Sequence, residues 1–348
     1  MTADDTGLIL VTGATGFIGS RLTERWSRLG RQVRATGLER SDVEKERAAS
    51  VSQLATDYVR ADLTDSAVLT SLLDQVDTVV HLAAAQHEAN IRDDDFARVN
   101  VDVTRNLLER SDAAGVRRFF YASSIGVFGS QARDVADGDA VLPDNGYGHS
   151  KSAAESMLLA YRGSVRVAIG RIGECYGPWD RRLLKLFEAI EKGRFWLIGP
   201  SRNLHQPIFV DDLPPLIDSL LSVPTRGSQP VILAGDETMT TVDMCESIAT
   251  SVSRTLPSLK IPLFPVAAAA WTLEETLGRI GIQPPLHRRR LDFFRKNLTF
   301  SNDGRKLIMG QTPMTDFSTG INKTLDWYRR AGWLEMPKLT AGGGGYPR

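Results

Sequence analysis

Cysteine is scarce in this sequence. The two cysteines, Cys175 and Cys245, cannot build a disulfide framework, and their separation does not match the ligand spacing of a metal site. We therefore predict no metal centre, and we expect both side chains to be buried thiols in a reducing compartment.

Long hydrophobic runs are missing as well. The longest candidate, residues 263–271, is shorter than the roughly 20 apolar residues that span a bilayer. The N-terminal stretch MTADDTG is acidic and polar, and it lacks the basic and apolar regions of a signal peptide. These absences predict a cytoplasmic protein with no integral membrane segment.

Charge of one sign is not in excess. The 42 lysines and arginines balance the 42 aspartates and glutamates, so the formal net charge is zero. Nucleic-acid-binding proteins usually carry a basic excess, so we expect no nucleic acid among the partners. With 42% hydrophobic and 24% charged residues the composition is that of a globular protein, and we expect its partner to be a small-molecule substrate.

Short apolar runs alternate with helical patterns through the first half of the chain. A helical pattern is clearest after the first run, where Ile18, Leu22, Trp26 and Leu29 recur at helical spacing. The alternation predicts an α/β fold with a Rossmann-type, doubly wound parallel sheet. The apolar runs, which we interpret as buried strands, cover residues 8–12, 32–36, 57–63, 78–83, 117–124 and 165–172.

After residue 172 the pattern becomes irregular. We assign residues 1–172 to the Rossmann domain, and residues 173–206 and 236–335 to a smaller C-terminal substrate-binding lobe. Two apolar runs, 207–210 and 230–234, look like strands that rejoin the sheet, so residues 207–235 return to the first domain. The glycine-rich residues 336–348 are predicted to be a flexible tail.

The first predicted strand leads into the turn TGATGFIG, in which Gly13, Gly16 and Gly19 recur every three residues. Glycine is needed where a chain turns tightly from strand to helix and where the backbone must approach a pyrophosphate. The helix that follows presents free amide groups and the positive end of its dipole to such an anion. Because a strand precedes the turn and an amphipathic helix follows it, we predict a dinucleotide site rather than a purely structural turn.

The end of the second predicted strand, RATGLERSD, bears on the choice of dinucleotide. An acidic residue at its tip would bind the ribose 2′-hydroxyl of NAD and repel the 2′-phosphate of NADP, but Gly37 and Leu38 occupy the tip. Arg40 or Arg34 would favour the phosphate, whereas Glu39 could still serve the hydroxyl. The cofactor is therefore expected to be NAD(P), with a slight preference for NADP.

In the stretch YGHSK, Tyr147 and Lys151 stand four positions apart, so on a helix both project from one face. A free tyrosine has a pKa of about 10 and is a poor base at neutral pH. A lysine ammonium one turn away, together with an oxidised nicotinamide, would stabilise the phenolate, so that Tyr147 could exchange a proton with an alcohol or ketone. Lys151 could also hold the nicotinamide ribose. Ser123 and Ser124, at the end of the fifth strand, offer a further hydrogen bond to the substrate oxygen.

Taken together and in this order, these motifs resemble an extended short-chain dehydrogenase/reductase of the NAD(P)-dependent epimerase/dehydratase superfamily. The resemblance implies an enzyme whose catalytic residues are Tyr147, Lys151 and Ser124. It also implies a homodimer formed through helices that correspond to residues 93–114 and 147–162. The matching stretches are VTGATGFIG, ADLTD (61–65), VVHLAAA (79–85), VNVDVTRNLLE (99–109), RFFYASSIGVFG (118–129), YGHSK, YGP (176–178) and FVDDL (209–213).

The resemblance also implies a set of binding residues. In the family, the neighbourhood of Asp62 binds adenine, the stretch with Ala83 and Ala84 lines the cofactor, and the Asn100 position is structural or catalytic. The substrate-binding residues are expected to be Ser124, Gly173 and His205. The cofactor-binding residues are expected to be Gly13, Thr15, Gly16, Phe17, Ile18, Gly19, Glu39, Arg40, Asp62, Leu63, Leu82, Ala83, Ala84, Asn100, Ser123, Tyr147 and Lys151.

Two positions depart from the family pattern. Where many nucleotide-sugar enzymes carry an arginine that holds the diphosphate, this chain has His205, which we expect to be largely neutral at pH 7 and which cannot form a bidentate fork. Arg202, three residues away, could compensate. Ile172 replaces the usual proline of RPxxVYGP. Both departures weigh against a nucleotide-sugar substrate.

An apolar stripe at helical spacing marks the C-terminal lobe: Val266, Ala270, Leu273, Leu277 and Ile280. We interpret the stripe as core, with the wall of an apolar substrate pocket or a membrane-surface contact near residues 287–290 as alternatives. The arginines of residues 287–290 are interpreted as solvated charge. These features resemble the branch of 3β-hydroxysteroid dehydrogenases and dihydroflavonol reductases.

Three functions remain open. The first is an oxidoreductase that interconverts a secondary alcohol and a ketone on a bulky substrate. The second is a nucleotide-sugar 4-epimerase or dehydratase, in which epimerisation is preferred because Ile125 and Gly126 stand where a dehydratase usually needs an acidic pair. The third is a non-catalytic NAD(P)-sensing module, which is disfavoured because Tyr147 and Lys151 are both present.

Overall fold

The computed structural model describes residues 7–86, 93–129, 134–223, 229–277, 291–310 and 312–336. Three features of the sequence analysis therefore lie outside the described residues. They are the predicted tail after residue 336, Ile280 of the apolar stripe, and the cluster at residues 287–290.

The strands alternate with helices along the first half of the chain, as the apolar runs indicated. The helices are α1 (Phe17–Arg28), α2 (Asp42–Leu54), α3 (Ala67–Leu72), α4 (Asp93–Ala97), α5 (Val103–Ala113), α6 (Gly146–Ala160), α7 (Arg181–Glu191), α8 (Leu213–Ser222), α9 (Thr241–Ser251), α10 (Leu263–Leu277), α11 (Asp303–Met309) and α12 (Phe317–Arg330). The strands are β1 (Leu8–Thr12), β2 (Val33–Gly37), β3 (Asp57–Arg60), β4 (Val76–His81), β5 (Arg118–Ser124), β6 (Arg166–Ile172), β7 (Cys175–Tyr176), β8 (Leu204–His205), β9 (Ile208–Phe209), β10 (Val231–Leu233) and β11 (Met239–Thr240).

Seven of these strands form one parallel sheet in the order β10-β6-β5-β4-β1-β2-β3. This is the Rossmann-like α/β architecture that the sequence predicted. The strand order reverses at β1, which pairs with β2 on one side and with β4 on the other. In open parallel sheets, ligands bind in the crevice beyond the carboxyl ends of the strands at such a switch point.

Helices cover both faces of the sheet because alternate residues of each strand point to opposite faces. Ile9 and Val11 of β1 pack on one face with Trp26 of α1 and with the apolar side of α8. Leu10 points to the other face and packs in the cluster that includes Leu107 of α5. The two buried clusters hold the strand ends, and the loops that follow them, in fixed positions.

The second lobe has a core of its own, built from α7, α9 and α12. Phe187, Ile248 and Tyr328, one from each of these helices, are buried together. Two short strand pairs lie outside the seven-stranded sheet: β7 with β9 in parallel, and β8 with β11 antiparallel. Not all of residues 236–335 belongs to this core, because Ile308 and Met309 of α11 pack against the sheet cluster that contains Trp26.

One of the two strands predicted to rejoin the sheet does not do so. Residues 208–209 pair with β7 outside the seven-stranded sheet, so the prediction for 207–210 is wrong. The physical reason is that the chain leaves the sheet after β6, and the amide of Ile208 donates to the carbonyl of Glu174 at 3.0 Å. The other run does join, because β10 pairs with β6 in parallel register.

The apolar stripe of the C-terminal lobe forms α10. Ala270 is buried, and Val266 and Leu273 are half-buried, whereas Phe264 and Trp271 on the same helix are exposed. The stripe therefore packs inward on at least these three residues. Elsewhere, both cysteines are buried free thiols, as predicted.

Candidate active site

The turn between β1 and α1 brings backbone atoms into close contact. Gly13 has φ +69°, and a Cβ there would lie 2.7 Å from the backbone nitrogen of Ala83, just after β4. A Cβ at Gly19 would clash with the carbonyl oxygen of Gly13. Gly16 precedes α1 without a capping side chain, and no acidic residue stands in the first turn of α1. The first amides of α1 are left for an anion, which fits the pyrophosphate of a dinucleotide.

Thr15 links this turn to the end of β2. Its hydroxyl donates to the carbonyl of Leu38 at 2.7 Å. Phe17 and Ile18 begin α1 and pack, half-buried, against the cluster on that face of the sheet. These contacts fix the path of the turn, while the glycines leave room beside it.

The charged residues considered for the choice of dinucleotide lie in β2 and just after it, and they have different surroundings. Arg34 is held by Asp57 at 3.0 Å and by main-chain carbonyls near the end of α3. Glu39 accepts a hydrogen bond from the hydroxyl of Tyr58 at 3.1 Å. Burial, followed by the hydrogen bond and charge of Glu39, raises the pKa of Tyr58 to about 12. The side chain of Arg40 is exposed. A carboxylate held at the strand end fits a ribose hydroxyl better than a phosphate.

The predicted adenine-side residues follow β3. Asp62 accepts hydrogen bonds from the amide of Thr64 at 3.0 Å and from its hydroxyl at 2.8 Å. The hydrogen bond from the backbone amide of Thr64 is the largest cause of a lowered pKa of Asp62, and burial has a smaller, opposite effect. Leu63 is buried beside them. Asp62 thus stabilises its own turn, and its contact with adenine stays a prediction.

Asn100 anchors the loop after β4. It lies in a π-helical turn, Arg98–Asp102, and is buried. Its side-chain oxygen accepts from the amide of Ala85 at 2.7 Å, and its nitrogen donates to the carbonyl of Ala85 at 3.0 Å and to Ser150 at 2.9 Å. These bonds tie Ala85, which directly follows the half-buried residues 82–84, to α6. Asn100 therefore positions the loop that would line the cofactor.

Ser124 and Tyr147 meet at the carboxyl end of β5. Asn145 caps α6 through its side-chain oxygen, and Tyr147 stands in the first turn of that helix. The hydroxyl of Tyr147 is hydrogen bonded to Ser124, whose oxygen also accepts from the amide of Gly126 at 3.1 Å. Burial raises the pKa of Tyr147, and the Ser124 bond acts in the opposite direction. The structure therefore brings together the serine and tyrosine that the sequence paired.

Lys151 lies one turn along α6 and is only 2% exposed. Its Nζ donates to the carbonyl of Ala122 at 2.7 Å and stands 4.6 Å from the centre of the Tyr121 ring. Burial lowers the pKa of Lys151 to about 7, against the opposing charge of Glu155. From the sequence, this lysine together with the nicotinamide is expected to lower the pKa of Tyr147. The protein's own groups instead leave the pKa of Tyr147 raised, because burial is the largest effect on it.

Ser123 has a different environment from Ser124 because neighbouring strand residues point to opposite faces. Its hydroxyl is buried and donates to Glu155. Glu155 forms a buried ion pair with Arg171, with Oε2 and Nη2 separated by 2.8 Å. Ser123 therefore belongs to a buried network beneath the site, and its contact with the cofactor stays a prediction.

His205 is completely buried, although the sequence analysis placed it among the substrate-binding residues. Its Nδ1 lies 2.8 Å from Glu174, and its Nε2 lies 2.9 Å from the hydroxyl of Thr241. Burial lowers the pKa of His205, but the bond to Glu174 and its charge outweigh burial, so the pKa is raised above 6.5. This pairing shifts His205 toward its charged form, contrary to the neutral ring expected from the sequence. Contact with substrate through His205 or the nearby Gly173 remains untested.

Two charged residues that the sequence analysis did not single out lie in the same region. Glu174 is 30% exposed, and Arg182 at the start of α7 is exposed. The charge of Arg182 acts to lower the pKa of Tyr147, and the charge of Glu174 acts to raise the pKa of Arg182. Both residues follow the carboxyl end of β6, where ligands of parallel sheets bind, and this position was the available signal.

No helix among the described residues has both the length and the apolar character that crossing a membrane requires. The described residues also contain no group of three or more histidine, cysteine or acidic side chains arranged to hold a metal ion.

Comparison with known proteins identifies a matching family model and several similar proteins. The model of the NAD dependent epimerase/dehydratase family matches residues 9–234. The chain is 28% identical over 359 residues to dTDP-glucose 4,6-dehydratase of Streptomyces antibioticus, with 98% of each chain covered. It is 33% identical over 205 residues to the 3β-hydroxysteroid dehydrogenase/Δ5→4-isomerase of Mycobacterium tuberculosis, a match that covers 54% of this chain and 52% of the relative.

A solved structure shares the fold. The UDP-glucuronic acid 4-epimerase from Bacillus cereus, in complex with NAD, superposes with a TM-score of 0.73. The two chains are 20% identical, and the match covers 93% of this chain and 99% of that one.

Proposed function

The chain belongs to the NAD-dependent epimerase/dehydratase family, and on that basis we propose that it epimerises a nucleotide sugar through a transient ketone. The observation that carries this proposal is the hydrogen-bonded pair of Tyr147 and Ser124, with Lys151 buried behind it at the carboxyl end of the sheet. The pair provides a base and a second hydrogen-bonding group for one substrate oxygen.

The roles follow from the positions. Tyr147 takes the proton of a secondary hydroxyl while the carbon is oxidised, and gives it back when the ketone is reduced. Ser124 holds the same oxygen in place. Lys151 is held in place by its hydrogen bond to the Ala122 carbonyl. When Lys151 is protonated, it places a positive charge next to Tyr147. Bound NAD supplies the acceptor and donor of hydride.

The choice of a nucleotide sugar is supported by the share of this chain that each relative matches. The relative named as a nucleotide-sugar enzyme matches 98% of this chain, whereas the steroid-dehydrogenase relative matches 54%. Elimination of water is not proposed, because Ile125 and Gly126 follow Ser124 and neither can act as an acid or a base.

We propose NAD rather than NADP as the cofactor, in contrast to the slight preference for NADP that the sequence suggested. Glu39 would accept a hydrogen bond from the ribose 2′-hydroxyl and would repel a 2′-phosphate. Arg34, one of the two arginines considered for that phosphate, is already bonded to Asp57.

The test is a panel of nucleoside-diphosphate sugars carrying deuterium at C4, followed by NMR. Epimerisation through hydride return gives a product that retains the deuterium, without net formation of NADH. Formation of NADH in step with a stable ketone product would instead make the protein a dehydrogenase. Absence of any product from the whole panel would refute the proposed substrate class.

A dehydrogenase acting on an apolar secondary alcohol is the second candidate. Its support is α10, whose exposed Phe264 and Trp271 lie on the same helix as the inward-facing Ala270. Turnover of steroid-like ketones with NADH, measured beside the nucleotide-sugar panel, separates the two candidates. The predicted homodimer through residues 93–114 and 147–162 is part of either proposal, and light scattering of the purified protein measures it.

A further inference from the structure

Two adjacent arginines at the start of α7 point to different surroundings. The Arg181 guanidinium lies 4.6 Å from the centre of the Trp333 ring and 4.0 Å from the carboxylate of Glu46. Arg182 donates from Nη2 to the carbonyl of Cys175 at 3.0 Å and from Nε to Asp180 at 3.2 Å. Arg181 therefore belongs to the outer contacts of the second lobe, whereas Arg182 turns toward the chain that follows β6.

Arg182 lies near the carboxyl ends of β5 and β6. It is bonded to the carbonyl of Cys175, three residues after Ile172, and Ile172 lies opposite Ser124 in the sheet. The side chain of Arg182 is 77% exposed, and its charge acts against the rise in the pKa of the half-buried Tyr147 that burial causes. The guanidinium is therefore open to solvent at the edge of the sheet where ligands of parallel sheets bind.

The guanidinium of Arg182 is held on one side and free on the other. Asp180 is buried, caps α7 by accepting from the amide of Arg182 at 2.9 Å, and bonds Nε. A guanidinium has five N–H donors, and among the described residues none accepts a hydrogen bond from Nη1 of Arg182. An oriented guanidinium with one open edge is suited to a carboxylate or phosphate.

Two other cations considered for this role, His205 and Arg202, are placed differently. His205, at the position of the arginine that holds the diphosphate in many nucleotide-sugar enzymes, is buried and bonded to Glu174. Arg202, which the sequence offered as a replacement, is exposed and forms no ion pair with a described residue. Of these three cations, Arg182 is thus the one that combines a fixed orientation with an exposed guanidinium.

We propose that Arg182 binds an anionic group of the substrate, either the diphosphate or a carboxylate on the sugar. This assignment rests on the proposed function, because it names the group that recognises the anion of a nucleotide sugar. In this proposal the cation that binds the anion stands at the start of α7, and not at the position of His205.

The test compares Arg182→Ala with Arg181→Ala in full-length protein saturated with NAD. Calorimetry measures the Kd values of UDP, UDP-glucose and UDP-glucuronic acid. Arg182→Ala should weaken binding about tenfold or more, because loss of a charge-assisted hydrogen bond costs about that much. Arg181→Ala should leave all three Kd values within about twofold, since an exposed charge contributes little. Arg182→Lys should recover only part of the loss.

Comparison of the three ligands shows whether Arg182 binds the diphosphate or the carboxylate of the sugar. An equal loss for all three ligands assigns the diphosphate to Arg182, and a loss confined to UDP-glucuronic acid assigns the carboxylate. Equal Kd values for wild type and Arg182→Ala, or a wild-type protein that binds none of the three, would overturn the assignment.

If the proposed function is wrong but Arg182 does bind the anion, the results differ from those above. In that case UDP binding still depends on Arg182, but no sugar of the deuterated panel is epimerised. An NMR titration of the labelled tyrosine rings, with Tyr147 assigned through Tyr147→Phe, adds a readout that needs no substrate. The pKa of Tyr147 should rise in Arg182→Ala and stay unchanged in Arg181→Ala, and an unchanged pKa in both would show that Arg182 does not act on Tyr147.

Discussion

Lys151 lies behind Tyr147 on the same face of α6, with its Nζ 5.8 Å from the centre of the tyrosine ring. The spacing of four residues sets this relationship, and the carbonyl of Ala122 in β5 fixes it with a 2.7 Å hydrogen bond. Helix and strand therefore hold the two side chains in one arrangement before any substrate arrives. Such preorganisation avoids the cost of ordering the groups during the reaction.

Tyr147→Phe should lower turnover by about 100-fold to 10,000-fold, the usual contribution of a positioned acid–base group. Phenylalanine keeps the ring and its edge contact with Phe96, so the fold and the affinity for NAD should not change. Turnover is measured with the best sugar of the panel, and NAD affinity by calorimetry. A variant with near wild-type turnover would remove Tyr147 from proton transfer.

Lys151→Met tests the buried cation through the pH dependence of stability. Burial depresses the pKa of Lys151 from 10.5 to about 7. Between these pH values the unfolded chain binds a proton that the folded chain has released, so the free energy of unfolding rises with pH across this window. Methionine has no such titration. The stability of wild type relative to Lys151→Met should therefore increase from pH 7 upward, by at most about 1.4 kcal/mol per pH unit.

Chemical unfolding of both proteins without added cofactor, between pH 6 and pH 9, measures this difference. Lys45→Met, at an exposed position, is the matched control and should show no such trend relative to wild type. Curves for wild type and Lys151→Met that stay parallel over the whole range would contradict the depressed pKa.

The pair of Glu155 and Arg171 should stabilise the fold through its buried contact. Glu155→Gln leaves the Arg171 guanidinium buried without its carboxylate, which should cost about 3–5 kcal/mol in the free energy of unfolding. The double variant Glu155→Gln, Arg171→Met should recover much of this loss, because it also removes the unpaired charge.

The exposed pair of Asp102 and Arg105, with the same 2.8 Å separation, is the control for this prediction. Asp102→Asn should change stability by about 1 kcal/mol or less. Urea unfolding of wild type and these variants gives all the values. A loss at Glu155 no larger than at Asp102 would mean that burial adds nothing to the pair.

The parts of the site that the sequence predicted depend on short-range pattern. Alternating apolar runs indicate parallel strands, three glycines indicate the β1–α1 turn, and the four-residue spacing places Tyr147 and Lys151 on one helix face. Each of these signals lies within about one turn or one strand of the residue that it places. For this reason the fold and the shared helix face of Tyr147 and Lys151 could be predicted without any knowledge of tertiary contacts.

Arg182 could not be predicted in the same way, because long-range packing sets its direction. The turn before α7 holds Trp179 at φ +74°, which is rare for a bulky residue. The ring centres of Trp327 and Trp333, from the end of the chain, lie 4.7 Å and 5.5 Å from that of Trp179. The same reasoning applies to His205, whose partner Glu174 is 31 residues away.

Glu39→Ala should reduce discrimination between the two dinucleotides. Loss of the carboxylate removes an acceptor for the ribose 2′-hydroxyl, so the Kd for NAD should rise by about tenfold or more. The Kd for NADP should fall or stay the same, because the repulsion of the phosphate is gone. Arg40→Ala is the control and should leave the NAD affinity unchanged. Weaker NADP binding in Arg40→Ala, with no effect of Glu39→Ala, would favour NADP after all.

Gly13→Ala should disrupt the dinucleotide turn for two separable reasons. The backbone at Gly13 has φ +69°, a conformation that costs an L-residue roughly 1–2 kcal/mol. The added Cβ would also lie 2.7 Å from the nitrogen of Ala83, so β1 and the loop after β4 would have to separate. Gly30 has φ +78°, and a Cβ added there would meet no atom within 4 Å, so this position isolates the first effect. Gly30→Ala should therefore lose only the conformational part of the stability and bind NAD normally. Gly13→Ala should lose more stability and most of its NAD affinity, and equal losses in the two variants would show that the close approach to Ala83 is not needed.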